Sequence, residues 1–226
     1  MFPPPRSRRP TAVIFDMDGL MLDTEPLAAR AWIEAAQALG IAFDRTINDR
    51  LVGRSFTDCR TIIAEHHGAD YPVDTLMQAW HGAYDDIVRR EGIAFKPGLL
   101  ELLGWLEAAA IPKAVATSTR RARAQAKLEQ TGVLARFEAL VGGDEVARGK
   151  PAPDIFLEAA ARLAVAPTAC VVLEDSEPGV RGALAAGMVP VMVPDLLPPS
   201  ASLQAIGLLV VATLHEVRAH LAAWAR

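Results

Sequence analysis

The sequence predicts an α/β fold: a parallel-sheet core interrupted after its first strand by an all-helical insertion. Three observations predict it. An apolar run, Ala12-Val13-Ile14-Phe15, stops at Asp16, and a short continuous apolar run is how a strand buried on both faces reads. From Ile111 onward, short apolar runs alternate with stretches of helical spacing, the pattern of parallel strands joined by right-handed crossovers. Residues 26 to 93 read as helical throughout, a block too long for one crossover. The expected organisation is a flexible leader over 1–10, a core over 11–25 and 94–226, and a helical cap over 26–93.

The elements follow in order. After the first strand, Pro26 suits the first turn of a helix. Leu27, Ala31, Trp32, Ala35 and Leu39 then recur at helical spacing, and Gly40 suits a left-handed stop. A second helical segment begins near Asn48. Ser55 with Asp58 reads as an N-cap, ahead of an apolar stripe from Phe56 to His66 that ends at Gly68. A third helix is predicted from about Pro72 to Glu91, with Val73, Leu76, Met77, Trp80, Tyr84, Ile87 and Val88 on one side, and Gly92 stops it.

The core resumes with a strand over Lys113–Ala116 and a helix over Arg120–Gln130, for which Thr119 is the candidate N-cap. A strand over Ala139–Val141 leads into Gly142-Gly143-Asp144, and a helix covers Asp154–Leu163. The strand Cys170–Leu173 ends at Glu174-Asp175, and a helix over Val180–Ala186 stops at Gly187. The strand Val189–Val193 contains Pro190, which argues for a less central place in the sheet. A short strand over Leu208–Val211 and a last helix follow, the helix capped by Thr213 with Glu216.

In open parallel sheets ligands bind outside the carboxyl ends of the strands, so the residues just past each strand are the candidates. The first strand delivers Asp16 and Asp18, followed by Gly19, where the backbone can turn sharply or approach a ligand. Successive strand side chains alternate faces, so Asp16 and Asp18 would share a side if the strand continued. Carboxylates converging there form a hard oxygen site suited to Mg²⁺. The second strand delivers Thr117, Ser118 and Thr119, a later loop delivers Lys150 in Gly149-Lys150-Pro151-Ala152-Pro153-Asp154, and the fourth strand delivers Glu174 and Asp175. Each has a bland reading alone: an Asx turn, a helix cap, a surface lysine, a solvated acidic loop. Together they supply a nucleophile, an acid/base, hydroxyls, a cation and an acidic pair, the inventory of Mg²⁺-assisted phosphoryl transfer.

The run Asp16-x-Asp18-Gly19-Leu20-Met21-x-Asp23-Thr24 followed by Glu25-Pro26 closely resembles motif I of the haloacid dehalogenase superfamily, phosphatase branch. The other stretches match motifs II to IV in order, and the likeness covers roughly residues 11 to 195. It implies a Rossmann-like core with a helical cap after the first strand. Asp16 is then the nucleophile that forms an aspartyl-phosphate, and Asp18 the general acid and later base. Thr117, the Ser118 N–H and Lys150 hold the phosphate. Mg²⁺ sits on Asp16, the backbone carbonyl of Asp18 and Asp175, with Glu174 acting directly or through water. The segment Gly19–Asp23 resembles the mobile segment that couples cap closure to the site. In the cap, Glu25, Gly53 and Arg54 are the candidate substrate contacts, and Arg54 also reads as an ordinary surface arginine.

The resemblance also ranks the alternatives. Dehalogenases of the superfamily lack the second aspartate. Phosphonate hydrolases need a cap lysine, and residues 26–95 contain none. β-Phosphoglucomutases share Asp23-Thr24-Glu25 and the Lys150 loop, but carry histidine where Ala28 stands and lysine where Val52 stands. A phospho-receiver module would place its aspartate after a middle strand. The favoured activity is a Mg²⁺-dependent phosphatase for a small phosphomonoester, a sugar phosphate or phosphoglycolate-like compound, with the mutase as the alternative.

Composition fits. The chain is 51% hydrophobic and 22% charged with net charge −4, which argues against nucleic acid or an anionic membrane surface as partner. No 18-residue apolar span exists. Cys59 and Cys170 form no zinc or disulfide pattern and suit a reducing cytoplasm. The five histidines fall in predicted helices or at their ends and read as structural or solvated. Cations are 19 Arg against only four Lys, at 96, 113, 127 and 150. The expected state is a monomer acting on a small phosphorylated metabolite.

Overall fold

The computed structural model describes residues 10–51, 54 and 56–224, without the side chain of residue 49. The leader over 1–9 and the positions Gly53 and Ser55 lie outside the described residues. The chain forms two compact units. One comprises the chain up to Leu22 and from Phe95 onward, and the other is Asp23–Ala94. Among the described residues no helix is long and apolar enough to cross a membrane.

In the first unit β1 (Ala12–Phe15) is buried throughout. The chain then leaves for the helical insertion: α1 (Glu25–Leu39), α2 (Asn48–Leu51), α3 (Phe56–His67) and α4 (Val73–Glu91). It returns through α5 (Leu99–Ala108), a stretch for which no element is predicted above, although Leu99, Leu102, Leu103 and Leu106 are its buried residues at helical spacing. The rest alternates: β2 (Lys113–Ala116), α6 (Arg121–Gln130), β3 (Ala139–Val141), α7 (Asp154–Arg162), β4 (Cys170–Glu174), α8 (Glu177–Ala185), β5 (Val189–Met192), α9 (Ala201–Gln204), β6 (Leu209–Val210) and α10 (Leu214–Trp224).

The six strands form one sheet in the order β3-β2-β1-β4-β5-β6, all parallel. β1 therefore lies inside the sheet, where its unbroken apolar run belongs. Pro190 pairs with Val172 of β4, while β6 joins β5 only from Val191. Its missing N–H thus falls where β5 has a neighbour on one side only. On one sheet face Ala12, Ile14, Ala114, Ala116 and Val172 meet Ile155, Phe156 and Ala159 of α7 and Ala183 of α8. The alanines of β2 leave room for the Phe156 ring, which is fully buried. Removing such a ring costs about 3–5 kcal/mol.

The second unit is built on aromatic packing. Trp32 stacks near Phe43 and Phe56 and lies 5.2 Å from Trp80, which in turn stacks 5.1 Å from Tyr84. Ala31, Ile87 and Val88 bury the opposing surfaces of α1 and α4. Gly40 ends α1 in the left-handed conformation. The unit's ion pairs lie outside this core, as in the exposed Arg30–Glu91 and Arg60–Asp74 pairs.

Candidate active site

The register of the sheet assembles the candidate residues of the first unit. Asp16 follows Phe15, which pairs with Leu173, and the Asp16 N–H donates to the Leu173 carbonyl (3.0 Å). Asp16 thus lies level with Glu174, the last residue of β4. Asp16, Glu174 and Asp175 are all buried, and each offers an oxygen within 4.8 Å of the others. Lys150, itself nearly buried, donates to both Asp16 Oδ1 and Glu174 Oε1, and its ammonium lies 5.1 Å from the Phe156 ring centroid.

Two glycines make room for these carboxylates. A Cβ on Gly179 would fall 1.9 Å from the Glu174 carboxylate, and one on Gly19, where φ is +82°, would fall 2.5 Å from Asp175 Oδ2. Glu174 is further held by the N–H and hydroxyl of Ser176, which donate to Oε2 (3.2 and 2.9 Å).

The electrostatics follow from burial. Desolvation, reinforced by the charges of Glu174 and Asp18, pushes Asp16 up to about 7 against the pull of Lys150. Burial alone would lower Lys150, but Asp16 and Glu174 outweigh it and hold the ammonium above its usual range. Lys150 pairs with two of the three buried carboxylates, Asp16 and Glu174. An oxygen-only, anionic, buried donor set of this size fits a hard divalent cation.

Asp18 stands apart from that group. Its Oδ1 accepts from Lys127 Nζ (2.6 Å) and its Oδ2 from the Thr119 hydroxyl (2.7 Å). This corrects the reading of Thr119 as an N-cap. Helix α6 has no side-chain cap at its own N-terminal residue; instead Asp144, reached across the fold, accepts from the Arg121 N–H (2.7 Å) and leaves Thr119 for Asp18. Gly142 and Gly143 permit that crossing, since a Cβ on either would fall within 2.4 Å of Arg121 N or Ser118 O. Thr117 is buried and accepts from the Thr119 N–H (3.1 Å), while Ser118 is exposed.

Lys127 is the functional candidate that motif reading missed. A signal existed: it sits beside buried Ala124 and Leu128 on α6 and is one of only four lysines. All four belong to the first unit, and each faces carboxylates: Lys96 faces Asp195, Lys113 faces Glu107 and Glu138, Lys127 faces Asp18, and Lys150 faces Asp16 and Glu174.

A family model described as haloacid dehalogenase-like hydrolase matches residues 10–187. The chain belongs to this family. As a haloacid dehalogenase-like hydrolase it is an enzyme. It is 36% identical over 180 residues to the fructose-1-phosphate phosphatase YqaB of Escherichia coli, covering 80% of this chain and 94% of that protein. It is 35% identical over 190 residues to the β-phosphoglucomutase of Bacillus subtilis, covering 80% and 82%. The crystal structure of CbbY from Rhodobacter sphaeroides in complex with phosphate matches 92% of this chain and 96% of its own, with TM-score 0.76 and 28% identity. The chain spans about half, 49%, of one further relative, a bifunctional riboflavin kinase/FMN phosphatase of Arabidopsis thaliana. The hydrolase fold, with its six-stranded parallel sheet and α1–α4 between β1 and β2, accords with these relatives.

The remaining candidates lie in the second unit. Glu25 opens α1, and Arg54 is exposed, its N–H donating to Leu51 O (3.2 Å). Burial pushes the Cys59 thiol up to about 12, with the charges of Glu25 and Asp58 adding and that of Arg54 opposing.

Proposed function

We propose that the chain is a Mg²⁺-dependent phosphatase hydrolysing a small phosphomonoester, a sugar phosphate or phosphoglycolate-like compound, through an aspartyl-phosphate on Asp16. The observation that carries this reading is the buried group Asp16, Glu174 and Asp175 joined to Lys150, with Asp18 held two residues away by Lys127 and Thr119. Relatives that act on fructose 1-phosphate and that bind phosphate support it.

The carboxylates of Asp16 and Asp175 and the backbone carbonyl of Asp18 would hold Mg²⁺, with Glu174 acting directly or through water. The ion supplies the positive charge that lets a carboxylate meet a phosphoryl dianion. Asp16 attacks phosphorus, the bond to the leaving oxygen breaks, and that oxygen takes a proton from Asp18. Water then attacks the phosphorus of the aspartyl-phosphate and gives its proton to Asp18, which frees phosphate and restores Asp16. Lys150, Thr117 and the Ser118 N–H take up negative charge on the transferring group. Choice of the sugar body is assigned to the helical unit, with Arg54 and Glu25 as its candidates. Buried free Cys59 and Cys170 support a reducing cytoplasmic setting.

The test is Asp16→Asn, which keeps shape but removes the nucleophile. Phosphate release is expected to fall at least ~10³-fold, and wild-type activity to vanish with EDTA and return with Mg²⁺. Release within tenfold of wild type in the variant would overturn the assignment. The second reading, a phosphosugar mutase, draws support from the β-phosphoglucomutase relative and is opposed by Ala28 and Val52. Isomeric sugar phosphate rather than inorganic phosphate as the main product would select it.

A further inference from the structure

We propose that Asp195 is an outer-sphere partner of the cation site, its Oδ2 accepting a hydrogen bond from a cation-bound water, with Lys96 locking it in place. This rests on the Mg²⁺ site proposed above and adds to it a residue beyond the motifs. Asp195 lies three residues past the end of β5. Its side chain is only 6% exposed, and Oδ1 accepts from Lys96 Nζ at 2.6 Å. Oδ2 is buried with no hydrogen-bond partner. A buried carboxylate oxygen without a donor is costly, so its orientation calls for a ligand.

Gly19 says what Oδ2 faces. The point where a Gly19 side chain would begin lies 2.5 Å from Asp175 Oδ2 and 3.3 Å from Asp195 Oδ2. The two carboxylate oxygens thus border one small space that glycine leaves open. Asp175 belongs to the set of three whose oxygens lie close enough to share one ion, and Asp195 does not. Asp195 is therefore too far for direct ligation with the other three and suitably placed for one intervening water, the usual arrangement for Mg²⁺, which keeps several of its waters.

The placement of Lys96 ties this to the loop that carries Asp18. The Lys96 N–H donates to Met21 O (2.9 Å), and Gly19 N–H donates to Leu22 O (2.9 Å). On the other side, Val193 N–H donates to Glu174 O (2.7 Å), which fixes the segment leading to Asp195 against β4. The Lys96–Asp195 pair thus clamps the loop after β1 and the loop after β5 around the same oxygens.

The experiment is Mg²⁺ titration by calorimetry on substrate-free protein, with apo melting temperatures measured alongside. Asp195→Asn keeps an acceptor for Lys96 but puts an amide in place of the acceptor, or a poorer one, on the water side. It is expected to raise the Mg²⁺ Kd by about 10-fold or more with a near-wild-type apo melting temperature. Lys96→Met is expected to weaken binding in the same direction, and the double variant to bind no more than about twofold worse than Asp195→Asn, because both act through one group. A Kd within twofold of wild type in Asp195→Asn would reduce the pair to a structural ion pair and overturn the proposal. If Asp195→Asn does not fold, the same result in Lys96→Met overturns it. Wild-type protein that takes up no Mg²⁺ would overturn the cation site itself, a different failure.

Discussion

In the core unit Asp16, Glu174, Asp175 and Lys150 form a group of buried charged side chains past the carboxyl ends of the strands. In the helical unit rings pack outward from buried Trp32 and Tyr84 through half-buried Phe43 and Trp80 to exposed Phe56, and ion pairs such as Arg30–Glu91 and Arg60–Asp74 stand in solvent. The difference is one of consequence. Removing one member of a buried charged group leaves another charge unpaired in a poor solvent. Removing a surface partner leaves it in water, which compensates. Charge substitutions should therefore alter chemistry in the core unit and, in the helical unit, only selectivity or local stability.

Lys127→Met probes the largest effect on that side of the comparison. It leaves Asp18 with Thr119 alone among its two named donors, so turnover of an alkyl phosphate, which needs a proton on its leaving oxygen, should fall about 10²-fold. Release of p-nitrophenol in the first step from p-nitrophenyl phosphate, whose leaving group needs no proton, should slow much less. Steady-state assays on the alkyl phosphate and rapid-mixing measurement of the p-nitrophenol burst check this, and equal losses in the two would mean that Lys127 does not act through Asp18.

Arg54→Ala carries the same question into the helical unit. If Arg54 contacts the substrate body, the specificity constant for the preferred sugar phosphate should drop about tenfold, while that for p-nitrophenyl phosphate barely moves. Equal effects on the two, or none, would leave Arg54 an ordinary surface residue.

The smallest effect is expected at Asp44. Its carboxyl is held at about 2, below the ordinary 3.8, first by the Thr46 N–H and also by His66. A depressed carboxyl stabilises the fold above its ordinary value and loses that effect as pH falls through its folded value. Asp44→Ala should lower the melting temperature slightly near neutral pH, with the gap to wild type closing between about pH 4 and pH 2. A gap constant across that range would show that the charge contributes nothing.

Legibility in the sequence tracks the range of each interaction. β1 was readable because the burial of a short apolar run is a signal that acts over a few residues. That the sheet is parallel followed from the alternation of strands and helices, and the insertion from the length of the helical block. Thr119 misled because a cap is a local rule, whereas its true partner, Asp18, lies 101 positions away. Lys127 and Asp195 share that difficulty: their partners stand 109 and 99 positions off, and no spacing rule spans such distances. The leucines of α5 carried an ordinary helical pattern; there the signal was present between two better-marked regions.

The central claim is that Asp16 takes the phosphoryl group and Asp18 handles the protons. Asp18→Asn mixed rapidly with p-nitrophenyl phosphate and Mg²⁺ separates the two steps, since the first needs no acid with this leaving group and the second still needs a base. The account predicts a burst of p-nitrophenol close to one equivalent per active site, followed by slow turnover, with phosphate recovered from the quenched protein on the peptide that holds Asp16. Turnover with no burst and no protein-bound phosphate, or phosphate mapped to another residue, would contradict it.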